Sequence, residues 1–170
     1  SLLQQMRGRL EQVLRESDYV IRWGGEEFLI VSRSTNRADA KAVAERIRAA
    51  ICGDDFELPD GSRLAKTCSV GFACYPFLPT HPSLLSWSQV VELSDRALYL
   101  AKHSGRNAWV GLYATDTTQA DGLVERLAQK TERESLLAGD LRIVSNAELP
   151  IERPLDDSDP AIELEEKVQP

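Results

Sequence analysis

Apolar positions recur along this chain in blocks, and their period changes from block to block. Leu2, Leu3, Met6, Leu10, Val13 and Leu14 repeat at helical spacing, which predicts a helix over residues 2–16. Two runs rich in β-branched and aromatic residues follow, Tyr19-Val20-Ile21 and Phe28-Leu29-Ile30-Val31. Such runs read as strands. Gly24 and Gly25 lie between them, so a hairpin is predicted over about residues 18–32, turning where glycine accepts positive φ without steric cost. Ala40, Val43, Ala44, Ile47 and Ile51 form the next helical stripe, with Asn36 as its cap and Gly53 as its end. Pro59-Asp60-Gly61 marks a turn. Leu64 to Tyr75 reads as one strand, interrupted at Gly71 where a second backbone can approach closely. Residues 76–86 hold three prolines and read as a loop. Trp87, Val90, Val91, Ala97, Leu98 and Ala101 mark a long helix that Gly105 ends, and Asn107 to Leu112 is a short strand. Beyond Tyr113 the pattern weakens. Residues 119–138 form one amphipathic helix through Leu123, Leu127, Leu136 and Leu137, and an acidic, proline-containing solvated tail follows from about residue 145. The order of elements predicts an α/β (α+β) fold, with helices flanking a mixed, mostly antiparallel sheet.

Charge sharpens the division at Tyr113. Residues 1–113 carry 14 basic and 13 acidic side chains, a net of +1. Residues 114–170 carry 6 basic and 14 acidic, a net of −8. The first part is therefore open to anionic ligands although the whole chain is acidic. No basic stripe with interleaved aromatics occurs, which argues against nucleic-acid binding. No apolar run reaches the length of a membrane span. The three cysteines, Cys52, Cys68 and Cys74, are odd in number and lack metal-ligand spacing. They read as small core residues of a reducing compartment, so a cytoplasmic location is expected.

The hairpin carries the most informative chemistry. Glu26 and Glu27 stand at its turn, where a plain hairpin needs nothing acidic. Side chains alternate along a strand, so the two carboxylates are expected on opposite faces. One could hold a divalent cation while the other does a different job. Bare glycine backbone beside a carboxylate suits a phosphate-bearing ligand with Mg²⁺, which takes only one or two protein carboxylates. A surface hairpin with solvated glutamates accounts for the same residues equally well. Lys102 and Arg106 are four apart and would share a helix face if the last helical turn persists. They also fit as ordinary helix C-terminal cations.

The hairpin resembles the signature of GGDEF domains, the diguanylate cyclases of bacteria, in its Gly-Gly-Glu-Glu-Phe form. Arg15-Glu16-Ser17-Asp18 resembles the family's Arg-x-x-Asp motif. Thr67-Cys68-Ser69-Val70-Gly71-Phe72-Ala73 is similar to its Ser-Ile-Gly strand. Ser94-Asp95-Arg96-Ala97-Leu98-Tyr99-Leu100-Ala101-Lys102 and Gly105-Arg106-Asn107 resemble its closing block. Ala44-Glu45-Arg46-Ile47-Arg48 is similar to the helix after the signature. The likeness spans residues 1–113, leaving 114–170 as an acidic extension, partly helical and then a tail.

This resemblance implies a nucleotidyl-cyclase or palm-like fold. It implies condensation of two GTP into cyclic di-GMP with release of pyrophosphate, each of two facing domains in a homodimer presenting one GTP. Glu26 would be a metal ligand, for Mg²⁺ or Mn²⁺, and would help activate the ribose 3′-hydroxyl. Glu27 is the second signature carboxylate. Gly24 and Gly25 would lie against the nucleotide, and Lys102 and Arg106 would contact its phosphates. Arg15, Asp18 and Arg46 would bind cyclic di-GMP at an inhibitory site. Guanidinium groups suit phosphate and guanine edges, although Arg15 and Asp18 also fit a local ion pair closing the first helix. Family members further carry an upstream sensor, and a strand with a metal-binding aspartate, a Phe-Lys pair and an Asn-Asp pair ahead of the first helix. Residues 1–170 contain none of these motifs. The chain is expected to be part of a longer cyclase and to have little activity alone. A cyclic di-GMP receptor without catalysis, or a dimerisation module, are the other readings.

Overall fold

The computed structural model describes residues 1–149. The tail expected beyond residue 149 lies outside the described residues. Helix α1 (Leu2–Val13) precedes a hairpin of β1 (Tyr19–Gly24) and β2 (Glu27–Val31). Helix α2 (Ala40–Cys52) leads to β3 (Phe56–Glu57) and β4 (Arg63–Leu64), which pair with each other. Strand β5 (Val70–Ala73), helix α3 (Trp87–His103) and β6 (Trp109–Tyr113) follow. Helices α4 (Leu123–Gln129) and α5 (Glu132–Leu137) and strand β7 (Arg142–Ser145) complete the described chain. The fold is mixed α/β, as the order of elements predicts. Its strands form two antiparallel pairs and one three-stranded sheet, in which β6 pairs parallel to β5 and antiparallel to β7.

Local chemistry explains where elements stop. Helix α1 ends at Val13 and not near residue 16, because Asp18 claims the backbone beyond it. One Asp18 oxygen accepts the Arg15 N–H at 3.0 Å and the other accepts the Arg33 N–H at 2.9 Å. Short carboxylates that satisfy backbone donors locally compete with helix continuation. Asn36 does not cap α2. Its side chain accepts the Asp39 N–H at 2.9 Å, closing a turn before the helix, and Asp39 takes the N-cap position. The run from Leu64 to Tyr75 is divided between two partners. Leu64 pairs with Phe56, whereas Val70 pairs with Trp109.

Two apolar clusters hold the layers. In one, Leu10, Ile47, Ile51 and Phe56 are buried, and Val20, Phe28 and Ile30 of the hairpin pack against them. The opposite side of β1 exposes Tyr19, Ile21 and Trp23 at 54%, 44% and 62%, so the hairpin is covered on one face only. The other cluster sets α3 against β6 and reaches into the acidic extension through Leu123, Leu127 and Leu141. The division at Tyr113 is thus one of sequence character, and the packing runs across it. The single helix expected over 119–138 is two. Thr131 interrupts it with a capping box, accepting the Glu134 N–H while the Glu134 carboxylate accepts the Thr131 N–H. Leu137, expected in the buried stripe, is 75% exposed.

Asp140 anchors this extension. It is almost fully buried and accepts from Arg126 at 2.8 Å and Lys130 at 3.1 Å. Burial acts to raise its carboxyl pKa, but the hydrogen bonds from Arg126 and Lys130 outweigh that and leave it below the usual carboxylate range. A folded pKa below the unfolded value of about 3.9 stabilises the fold above that pH and loses the effect as pH falls through the folded value. Asp140→Asn is therefore expected to cost about 2 kcal/mol at neutral pH, since both cations keep partial contact with water. Urea denaturation of both proteins should show this gap closing progressively as pH falls below the unfolded value of about 3.9. An unchanged gap in acid would show that the contribution is not ionic.

Candidate active site

The signature hairpin differs in detail from two glycines forming the turn. Gly24 still pairs with Glu27, and the register shifts between Arg22 and Gly24, so Trp23 is the extra residue of a bulge. The turn itself is Gly25-Glu26, with Gly25 at φ 48°. A side chain at Gly25 would be strained there. Arg22 fastens the turn, donating from Nε and Nη2 to the Gly25 carbonyl at 3.1 and 2.8 Å. Neither Gly24 nor Gly25 has an atom within 4 Å of where a Cβ would stand, so the turn's upper surface is open to a ligand.

The two carboxylates have different environments, for a reason other than strand alternation. Glu26 occupies the turn and is exposed, with no hydrogen bond or ion pair to it among the described residues. Glu27 begins β2, is partly buried, and accepts from Lys102 Nζ at 3.3 Å. This pair is partly exposed on both sides, so it contributes at most about 1 kcal/mol. Its importance is geometric, since it joins residues 75 apart in sequence and closes α3 onto the hairpin. Lys102 lies in the last turn of α3, where a cation complements the helix dipole.

Arg106 is not on the helix face of Lys102. Helix α3 stops at His103, and Gly105, Arg106 and Asn107 have φ of 87°, 59° and 47°. Arg106 therefore stands in a left-handed turn just beyond the helix. Asn107 is held by Arg48, which sequence reasoning did not single out. Arg48 donates to the Asn107 side-chain oxygen at 2.6 Å and forks onto Glu45 at 2.7 and 2.9 Å. The Glu45 carboxylate also accepts from Trp109 Nε1 at 2.9 Å. The hydrogen bonds from Arg48 hold Glu45 below the usual carboxylate range.

At the other candidate site, Arg15 is exposed and Asp18 partly buried. Together with Leu14, Glu16 and Val20 they line a hollow of about 230 Å³. No ion pair joins Arg46 to either of them among the described residues; Arg46 is exposed on α2. Both Asp18 oxygens are engaged by backbone N–H groups, so this carboxylate is a structural staple whatever else it does.

No group of three or more His, Cys, Asp or Glu side chains among the described residues could hold a metal ion. An exposed carboxylate beside open turn backbone fits a cation that takes most ligands from phosphate and water. The cysteines are unpaired and partly buried, and burial pushes the Cys68 thiol up to about 12, which suits a core residue. No helix among the described residues is long and apolar enough to cross a membrane.

The described residues thus form an α/β domain in which a two-glycine hairpin meets the end of a long helix through Glu27 and Lys102. The family model for the diguanylate cyclase, GGDEF domain, matches residues 1–108, and the chain belongs to that family. Diguanylate cyclase A of Treponema denticola is 35% identical over 106 residues, covering 62% of this chain and 27% of its own length. Diguanylate cyclase DosC of Escherichia coli is 35% identical over 94 residues, covering 55% of this chain and 19% of its own. The chain thus spans about a quarter or less of these curated relatives. The solved GGDEF domain of PA1120 (YfiN or TpbB) from Pseudomonas aeruginosa shares 33% identity at a TM-score of 0.53, covering 62% of each chain. Diguanylate cyclase SiaD of the same organism, solved with its activator SiaC, shares 34% identity at a TM-score of 0.52, covering 62% of this chain and 38% of its own.

Proposed function

We propose that residues 1–113 are the nucleotide-handling domain of a diguanylate cyclase that condenses two GTP into cyclic di-GMP and releases pyrophosphate. The observation that carries this reading is the Glu27–Lys102 contact, which sets the signature turn beside the closing helix and leaves Glu26 exposed next to it. Phosphoryl transfer needs mainly positioning and charge neutralisation. Lys102 and Arg106 supply cations for the triphosphate. Gly24 and Gly25 let the turn backbone lie against the nucleotide. Glu26 would hold Mg²⁺ or Mn²⁺ jointly with phosphate oxygens and water, and would help activate the attacking 3′-hydroxyl. The bound cation would neutralise phosphate charge. Two such domains facing each other would bring the two GTP together, so a homodimer is the active form. A protein activator, of the kind SiaC is for SiaD, is one input compatible with this arrangement.

The direct test is calorimetric titration of this chain with GTP in the presence and absence of Mg²⁺, followed by assay of cyclic di-GMP formation by the full-length natural protein. Mg²⁺-dependent binding with product formation supports the cyclase. Binding of cyclic di-GMP but not of GTP would overturn it in favour of a receptor.

That second reading is favoured by the hollow beside Arg15 and Asp18, which in a cyclase would serve product inhibition with Arg46. The two residues should separate on substitution. Arg15→Ala is expected to weaken cyclic di-GMP binding at least about tenfold while leaving the melting temperature near wild type, because it removes an exposed bidentate donor. Asp18→Ala should also lower stability by about 1–2 kcal/mol, because it releases two backbone donors. Unchanged affinity for cyclic di-GMP in Arg15→Ala removes this site.

A further inference from the structure

The turn that carries Arg106 has an unusual backbone. Three consecutive residues, Gly105, Arg106 and Asn107, have positive φ, and only the first is glycine. Single non-glycine residues visit this region, but two in succession need to be held there. The holding groups come from one turn of α2. Arg48 Nη1 donates to Asn107 Oδ1 at 2.6 Å, and the rest of the guanidinium is fixed by its fork onto Glu45. Glu45 in turn accepts from the Trp109 indole at 2.9 Å, so the last residue of the left-handed turn and the strand that follows it are tied to the same pair. Trp109 is anchored again by its own N–H, which donates to Asn146 Oδ1 at 2.8 Å. The Arg48 side chain is mostly buried, at 18% exposure, and makes a further contact with Cys52 Sγ at 3.5 Å. Its environment is that of a strut and leaves it no role as a surface phosphate contact.

We propose that Arg48 is a positioning residue, which keeps the Gly105-Arg106-Asn107 turn left-handed and thereby sets where the Arg106 guanidinium stands relative to Lys102. The consequence for nucleotide binding rests on the cyclase reading above. The consequence for the turn does not. Lysine cannot replace this arginine, because one ammonium group cannot fork onto Glu45 and reach Asn107 at once.

The test combines a structural and a binding readout on this chain. In the structural arm, amide hydrogen exchange is compared for wild type, Arg48→Met and Arg48→Lys without nucleotide. Both variants should accelerate exchange across residues 105–108, while the amides of α3 and β6 stay protected. Unchanged exchange at the turn in Arg48→Met overturns the proposal outright, and so does uniform acceleration along the chain, which marks a general loss of stability. In the binding arm, Mg²⁺·GTP is titrated into wild type, Arg48→Met, Asn107→Gly and the double variant. Arg48→Met should weaken binding about tenfold, the scale of a lost charge-assisted hydrogen bond acting through one phosphate contact. In the Asn107→Gly background the same change should matter less than about threefold, because the tether is already gone and glycine tolerates the turn. An equal loss in both backgrounds shows that Arg48 does not act through Asn107. If neither this chain nor the full-length natural protein binds Mg²⁺·GTP, the cyclase reading fails, and the exchange arm still decides the role of Arg48. In the full-length natural protein, Arg48→Met should raise KM for GTP and leave kcat within about threefold, because positioning a binding cation is uniform binding.

Discussion

Gly71→Ala is expected to unfold the chain or lower its stability by about 4 kcal/mol or more, beyond the usual range for overpacking. The reason is backbone, not side-chain, proximity. A Cβ at Gly71 would lie 2.0 Å from the Leu98 N and 2.3 Å from the Ser94 O, both in the main chain of α3. A flexible side chain could turn aside, but a helix backbone cannot. Helix α3 would have to lift from β5 by about 1 Å or more, against a core packed to crystal-like density. Natural domains have only about 5–15 kcal/mol of net stability, so such a loss removes much of it. The effect also reaches the site, since α3 carries Lys102 to Glu27 at its far end. Gly8→Ala is the matched control. Gly8 lies inside α1 with nothing within 4 Å of its Cβ position, so alanine there should stabilise by about 0.5–1 kcal/mol. Urea denaturation of both variants checks the pair. A Gly71→Ala protein with the wild-type midpoint would show that α3 is not seated on β5 as described.

What could be read in the sequence follows from how much each segment relies on its own pattern. Helix α3 has a capping serine, a buried stripe and a terminal glycine, and all three agree with each other. The hairpin was legible because β-branched runs flank its glycines. Its turn was misplaced by one residue, because a bulge at Trp23 is a tertiary matter that leaves no mark in the residue types. Gly71 was read as a point of close approach, and the distance to α3 supplies the reason. The acidic extension was less legible. Its charge density hid β7, although Ile143-Val144 after Gly139 was the available signal. Thr131 with Glu134 is a capping box legible in the residue types, and it divides the single helix expected over residues 119–138.

The candidate site divided in the same way. Glu26, Glu27 and Lys102 were recognisable by type and motif, and the fold adds the contact between the last two. The helix-face argument for Arg106 failed, because spacing alone does not show that a helix ends at His103. Arg48 is not distinguishable by sequence, because a strut from α2 to the turn at residues 105–107 looks like any surface arginine of an amphipathic helix. Asp18 was read as a ligand-binding carboxylate, and the structure gives it backbone work as well.

Glu26→Gln is expected to lower kcat/KM for cyclic di-GMP formation by the full-length natural protein about 10²–10³-fold, the range for removing one preorganised electrostatic group. The substitution is isosteric and removes only the charge. Glu26 is exposed in the turn and has no partner among the described residues, so the fold loses nothing with it. The loss should be concentrated in the Mg²⁺ dependence, with half-maximal activity moving to higher Mg²⁺, because an amide oxygen is a poorer ligand than a carboxylate. Glu27→Gln is a different perturbation. It removes the contact between Glu27 and Lys102, so its effect depends on both residues. A double-mutant cycle of Glu27→Gln with Lys102→Met should therefore show coupling in GTP binding, whereas Glu26→Gln with Lys102→Met should be additive in the absence of Mg²⁺. The contrast between neighbours is the diagnostic part. A hairpin with merely solvated glutamates would lose little at either position, and Glu26→Gln activity within a few-fold of wild type at every Mg²⁺ concentration would return the turn to that status.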